Sequence, residues 1–312
     1  MLARRDFLIG VIGMASVRAD AFPSKPIRVY VGFSAGGGAD IIARAFGDVA
    51  QRFLGQPMVV INRPGASGTI AAREVALSEP DGYTLLIAGG SETACAGHFR
   101  KLPYHPIRAF TPIMRLARLG LLINVRSDAP WADVKEFVAA ARKEPGKYIY
   151  ASAGYGSLAH ATMLLFGEAA GIVMKHLPFS GGAGGLVALR GGHVDVTVAA
   201  ESESKALSEA LQIRSLAVAS AERSPLRPDV PTLHEAGFDV DLENQKGLVG
   251  PAGIPRNRLQ FLHDALEKAF HHPDFVRRCR RLGIERAYLG PEAFGRSLSR
   301  VYSQIGHVVR RG

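Results

Sequence analysis

The strongest constraint on the fold of this chain is that one order of elements occurs twice. Each copy has an apolar strand, a glycine-rich loop, a helix, a second strand ending in a glycine loop, and a third strand. In the first copy, residues 27–33 read as a strand that Ser34-Ala35-Gly36-Gly37-Gly38-Ala39-Asp40 breaks before a helix begins at Ile41. Residues 58–63 then run into Pro64-Gly65-Ala66-Ser67-Gly68, and residues 83–88 end at Gly89-Gly90-Ser91. In the second copy, residues 148–151 lead to Ser152-Ala153-Gly154-Tyr155-Gly156-Ser157. Residues 173–177 meet Pro178-Phe179-Ser180-Gly181-Gly182, and residues 194–198 precede Ala199-Ala200-Glu201-Ser202. The repeat predicts two α/β lobes, each presenting three loops at the C-terminal ends of its strands. Helices start at that edge with unpaired N–H groups and a positive dipole end, and small residues let a ligand approach the backbone. Two such edges face to face would clamp a small anion.

The helix after each first loop is the clearest in the sequence. Ile42, Phe46, Val49 and Phe53 recur at helical spacing before Gly55, as do Leu158, Ala161, Leu165, Phe166 and Ala169 before Gly171. Between the copies, residues 113–125 are apolar and read as a crossing between lobes, and residues 247–251 read as a second crossing. Helices over 256–270, 273–282 and 291–309 would return to the first lobe. The expected division is 1–21 as a signal peptide, 22–122 with 247–312 as lobe one, and 123–246 as lobe two, with the double crossing as a hinge. The long Pro-rich stretch 220–232 is expected to pack tightly.

The first 21 residues carry the marks of an export signal. Arg4-Arg5 is a basic start, residues 7–17 are apolar, and Ala19-Asp20-Ala21 has small residues at both cleavage-specifying positions. The stretch around Arg4-Arg5 resembles a twin-arginine signal, with Ile9 where Lys is common. The apolar run falls short of the roughly 20 residues a membrane span needs, so the mature protein is expected to be exported and periplasmic. The net charge of +10 becomes +9 when three arginines and two aspartates leave with the signal. Much of the charge lies in Arg277, Arg278, Arg280, Arg281 and Arg286, which lack the interleaved aromatics of a base-stacking surface. They read as a solvated helical face, and no nucleic acid partner is expected. Cys95 and Cys279 are too few for a disulfide framework and have no metal-ligand spacing, which leaves either one bridge or two buried thiols.

Several chemistries are disfavoured by the motifs themselves. The glycines at 32 and 37 have P-loop spacing, but Gly38 stands where lysine is required. Gly154-Tyr155-Gly156-Ser157-Leu158-Ala159 fits a loose dinucleotide fingerprint, but the next strand ends in Phe179-Ser180 without an acid for a ribose. No G-x-S-x-G elbow, H-E-x-x-H or Cys/His cluster occurs, so neither metal nor cofactor is expected. A hydrolase using Ser157 and His160, with Glu201, is the competing enzymatic reading, and a ligand-sensing receptor for a signalling partner is a third. Glu201 is expected in a loop facing the cleft, or else as a helix-capping carboxylate.

From residue 23 onward the chain also resembles the Bug family, the periplasmic substrate-binding receptors of tripartite tricarboxylate transporters. The resemblance rests on an ordered set of motifs. They are Pro23-Ser24-Lys25-Pro26-Ile27-Arg28, the Gly36-Gly37-Gly38-x-Asp40 loop, Asn62-Arg63-Pro64-Gly65-Ala66-x-Gly68, Pro80-Asp81-Gly82-Tyr83-Thr84-Leu85 and Leu102-Pro103-Tyr104. Ser152-Ala153-Gly154-x-Gly156-Ser157-x-x-His160, Gly192-x-Val194-Asp195 and the Arg223-to-Thr232 segment complete it. The resemblance implies a type II periplasmic binding fold, with two α/β lobes on a two-segment hinge that close on a small carboxylate without chemistry. It implies ligand contacts from Ser34, Gly36, Gly37, Gly38, Ser152, Gly154, Gly156 and Ser157, with Asp40 and His160 shaping the loops. Ser91, Tyr155, Phe179, Ser180, Gly181 and Glu201, from the remaining strand-end loops, complete the expected ligand-binding set. The implied partners are a small organic acid and transmembrane transporter subunits, with the receptor a monomer. Four or five N–H or hydroxyl donors at roughly 1.5–3 kcal/mol each suffice for the roughly −8 kcal/mol of micromolar binding. Ala39 stands where the family usually has Thr, the loop after Gly32 lacks the usual Pro, Glu201 is unusual in its context, and His105 and Ala109 replace acids. These departures argue against an ordinary dicarboxylate ligand.

Overall fold

The computed structural model describes residues 22–309. The segment 1–21, read as an export signal, lies outside the described residues. The strands are β1 (Ile27–Val31), β2 (Met58–Asn62), β3 (Thr84–Ala88), β4 (Phe110–Arg118), β5 (Leu121–Arg126) and β6 (Ile149–Ser152). They continue with β7 (Lys175–Pro178), β8 (Val196–Ala200), β9 (Ile213–Val218), β10 (Gln245–Pro251) and β11 (Glu285–Leu289). The helices are α1 (Gly38–Leu54), α2 (Thr69–Ala76), α3 (Ala96–Phe99), α4 (Val134–Lys143) and α5 (Leu158–Ala170). After them come α6 (Gly182–Arg190), α7 (Glu201–Glu209), α8 (Arg256–His271), α9 (Pro273–Leu282) and α10 (Pro291–Val309).

These elements form two sheets, one of six strands in the order β11-β4-β10-β3-β1-β2 and one of five in the order β7-β6-β8-β5-β9. The repeat read in the sequence is visible in the pairing. β1 lies parallel between β2 and β3, just as β6 lies parallel between β7 and β8. An antiparallel strand then continues each sheet, β10 beside β3 and β5 beside β8. The stretch expected as a single crossing is therefore two strands on different sheets, β4 and β5, with Leu119 and Gly120 between them. The return passes through residues 242–244 into β10, and the two crossings are joined where the Leu119 N–H donates to the Asn244 carbonyl at 2.8 Å.

Each lobe has its own core. Ile42, Phe46 and Val49 of α1 pack with Val29 and Leu85 of the first sheet, while Phe166 of α5 packs with Val196 and Phe238 in the second. A fully buried Phe46 or Phe166 contributes roughly 1.5–3 kcal/mol from its apolar area. Gly55 and Gly171 end these helices at φ 71° and 60°, a left-handed geometry that favours glycine. Cys95 lies in the second core and Cys279 in the first, both as buried free thiols. Helix α10 straddles the lobes, with Phe294 and Leu298 packed on the first lobe and Val301 and Ile305 in the core of the second.

Elements that escaped the sequence reading include β11 and the turn after β3 with the short α3 behind it. β11, Glu285–Leu289, is a half-buried edge strand whose charged start pairs Glu285 with Arg118 of β4. Ser91–Cys95 is a wide helical turn rather than a simple loop, and it leads directly into α3. The Pro-rich stretch packs as expected, since the Leu233 N–H bonds the Val218 carbonyl, and Arg223 pairs with Glu235 at 2.9 Å.

Candidate functional site

The glycine-rich edges of the two sheets face each other and touch. The Ser34 N–H and its hydroxyl both donate to the Ser180 carbonyl at 3.2 Å. Ser67 donates to the Tyr155 carbonyl at 2.6 Å, with Arg100 donating to the same oxygen. The Leu158 N–H, at the start of α5, donates to Ser91 Oγ at 3.0 Å. Between the edges lies a cavity of about 50 Å³, room for one or two waters at roughly 30 Å³ each. The N-termini of α1, α5 and α6 converge on it through Gly38, Leu158 and Gly182.

Much of the rim's hydrogen bonding is directed inward to the loops themselves. The buried Asp40 accepts from the Gly36 N–H at 3.0 Å, from Arg44, and from Asn62 at 2.9 Å. Burial pushes its carboxyl up, but Arg44, the Gly36 amide and Asn62 outweigh that and hold it below the usual carboxylate range. The Gly37 N–H turns back to the Ser34 carbonyl at 3.2 Å. In the second lobe the Ser152 hydroxyl accepts from the Gly154 N–H and pairs with His176 Nε2 at 2.7 Å. Tyr155 is exposed, Phe179 half-buried and Ser180 exposed at the rim, while Gly181 is buried at φ 150°. Of the expected ligand-binding residues, Gly38 and Ser91 line the cavity, and the others form the surrounding loops.

Ser157 and His160 do not form a nucleophile and base. Ser157 Oγ caps α5 by accepting the His160 N–H at 3.1 Å, and His160 Nδ1 accepts the Gly156 N–H at 3.1 Å. The His160 ring stacks on His176 with centroids 4.2 Å apart, and burial together with His176 lowers its pKa to about 4. Its role is to pin the second glycine loop from beneath. The hydrolase reading fails on this geometry.

Glu201 is also misplaced by the expectation of a cleft-facing loop. It starts α7, is buried, and accepts from the Ser224 hydroxyl at 2.9 Å, while its own N–H donates to the Gly120 carbonyl at 3.0 Å. It therefore braces the crossing between lobes, and burial raises its pKa against the Ser224 hydrogen bond. The carboxylate that does reach the cavity is two residues on. Glu203 Oε1 accepts the Gly38 N–H and Oε2 the Ala200 N–H, each at 2.9 Å. A Cβ on Gly182 would lie only 2.2 Å from Oε2, so a larger residue there would displace the Glu203 carboxylate. Beside it Lys246 of β10 lines the same cavity and is buried. A larger groove of about 1040 Å³ lies behind the crossings, but its arginines are already engaged. Arg115 and Arg300 both pair with Glu243, at 2.6 and 2.7 Å, and Arg118 pairs with Glu285.

Two lobes, a double crossing and opposed helix N-termini over a cavity between them define a solute-binding receptor rather than an enzyme. A profile of the tripartite tricarboxylate transporter family receptor matches residues 42–300, and the chain belongs to that family. It is 33% identical over 294 residues to the UPF0065 protein in the gbd 5' region of Cupriavidus necator, covering 94% of this chain and 89% of that one. Among solved structures, one titled as a periplasmic transporter superposes with a TM-score of 0.88 at 35% identity, covering 93% of this chain and 98% of the other. The malate-bound MatC protein of Rhodopseudomonas palustris superposes with a TM-score of 0.86 at 31% identity, covering 92% of this chain and 100% of that one. Among the described residues no helix is long and apolar enough to cross a membrane.

Proposed function

We propose that this chain is a periplasmic receptor that takes a small organic carboxylate between its lobes and delivers it to the membrane subunits of a tripartite tricarboxylate-type transporter. The observation that carries the reading is the convergence of α1, α5 and α6 on one cavity from opposite lobes. The first N–H groups of α1 and α5 are already taken by Glu203 and Ser91, but each helix still turns its positive dipole end toward the cavity, so a carboxylate held there is stabilised from both lobes at once. Support also comes from relatives solved with malate and with adipate, each superposing with a TM-score of 0.86.

The cavity is too small for any such acid, so binding requires the lobes to part about the two crossings and close again on the ligand. The moving bodies are the first sheet with its helices, residues 22–118 and 245–309, and the second sheet with its helices, residues 121–241, which shifts the expected boundaries at 122 and 247 by a few residues. The loops from Ser34 to Gly38, Ser91, Ser152 to Ser157 and Phe179 to Gly181 supply the contacts. The receptor acts as a monomer and leaves the cytoplasm by the twin-arginine route through Arg4-Arg5. Calorimetric titration of the purified protein with a panel of organic acids tests the reading, with micromolar binding of at least one acid expected. A panel that leaves both heat and melting temperature unchanged contradicts it.

A further inference from the structure

The cavity wall carries one fully engaged anion and one unengaged cation. Both Glu203 oxygens accept backbone N–H groups, from Gly38 of the first lobe and Ala200 of the second. Lys246 lies over the bare backbone of Gly90, where an added Cβ would sit 2.5 Å from Nζ. Only 7% of the residue is exposed, and among the described residues its side chain makes no hydrogen bond and no ion pair; burial lowers its pKa, against the pull of Glu92 and Glu203 towards the charged form. An ammonium has three donors and no acceptor, so facing the cavity it calls for an occupant that brings acceptor oxygens. Most of the remaining wall is apolar, with Phe33, Leu119, Leu121, Leu158 and Val198 around the same space.

We propose that Lys246 receives the ligand's carboxylate and that Glu203 excludes a second one, so that this receptor selects monocarboxylates with an apolar remainder. The inference rests on the carboxylate-receptor reading above. A single carboxylate completes the donors of Lys246 while its hydrocarbon part meets the apolar wall. A second carboxylate would face Glu203 across a small, mostly apolar cavity, where like charges repel more strongly than in water. Its competitors for the Gly38 and Ala200 amides are already in place, because Glu203 occupies them.

The test is calorimetry on the full mature chain with matched acids that differ by one carboxylate: propionate against succinate, valerate against adipate, and benzoate against terephthalate. In every pair that binds, the monoacid is expected to bind at least roughly tenfold more tightly, a difference of about 1.4 kcal/mol. Lys246→Gln should weaken the monoacid by roughly tenfold or more, Lys246→Arg should keep most of the affinity, and Glu203→Gln should admit the diacid. The wild-type comparison needs no variant to fold. Diacids bound as tightly as their monoacid partners, or unchanged monoacid affinity in a natively folded Lys246→Gln, would overturn the inference and leave the receptor reading standing. If neither series binds the wild-type protein, the carboxylate-receptor reading itself falls, and the inference with it.

Discussion

The carboxylate of Glu203, on the second lobe, accepts the backbone N–H of Gly38, on the first, at 2.9 Å. This contact joins residues 165 positions apart in the chain. It places the protein's own carboxylate at a helix N-terminus where a bound anion would also be stabilised.

Glu203→Ala removes that bond across the lobes and the one to Ala200 in the same step. Hydrogen bonds to a charged group contribute roughly 1.5–3 kcal/mol each, so the closed arrangement should lose population. Small-angle scattering of the ligand-free variant is expected to give a larger radius of gyration than wild type. Identical scattering curves would show that Glu203 does not hold the lobes together.

Gly182→Ala should act through the same carboxylate, because its Cβ would sit 2.2 Å from Oε2 and 2.8 Å from Cδ of Glu203. The side chain must then leave the Gly38 amide. Combined with Glu203→Ala the two effects should be strongly non-additive, since the clash has no partner once the carboxylate is gone. Thermal melting of the two single variants and the double variant measures this coupling.

His160 predicts a pH dependence of stability. Its pKa in the fold, lowered to about 4 by burial and by His176, lies below the usual histidine value of roughly 6.5. Between those two values the unfolded chain binds more protons than the folded one, so stability falls as pH drops from about 6.5 towards 4, by up to about 1.4 kcal/mol per pH unit. The contribution is complete above the upper value. Urea denaturation across this range should show the slope, and His160→Gln should flatten it.

Asp40 governs the first glycine loop. It accepts from Gly36, Arg44 and Asn62, and its lowered pKa means that its contribution is present above the unfolded carboxylate value and lost as pH falls through the folded one. Asp40→Asn keeps the shape but loses the charge opposite Arg44. A loss of about 1–3 kcal/mol is expected in urea denaturation at neutral pH.

Local pattern carried most of the architecture. The apolar spacing in α1 and α5, the glycines that end them and the glycine loops that precede them are properties of short windows, and the structure places both helices and their ends as read, although in α5 Ala169 is exposed and Met163 and Ala170 are buried instead. β11 was hidden because Glu285 and Arg286 break the apolar alternation of an edge strand whose partner, β4, is distant in sequence. The site was less legible. Glu201 and Glu203 look alike in sequence, but helix α7 begins at Glu201, so Glu203 falls at the third helical position, where a side chain folds back onto the preceding N–H. That geometry turns Glu203 to the cavity and leaves Glu201 at the crossing. Lys246 did leave a signal, a lone charge in the otherwise uncharged strand Gln245–Pro251, buried along its whole length. What it faces depends on β10 returning from the second lobe, which no local window reveals.

If the lobes close on an organic acid and release it chemically unchanged, the acid must be recoverable intact from the protein. Native mass spectrometry of the protein isolated from the periplasm of cells making the full chain tests this most directly. A noncovalent adduct is expected that dissociates on denaturation as an intact small carboxylate and rebinds the refolded protein. A protein free of any adduct that also binds no acid afterwards, or an acid recovered in altered form, would contradict it.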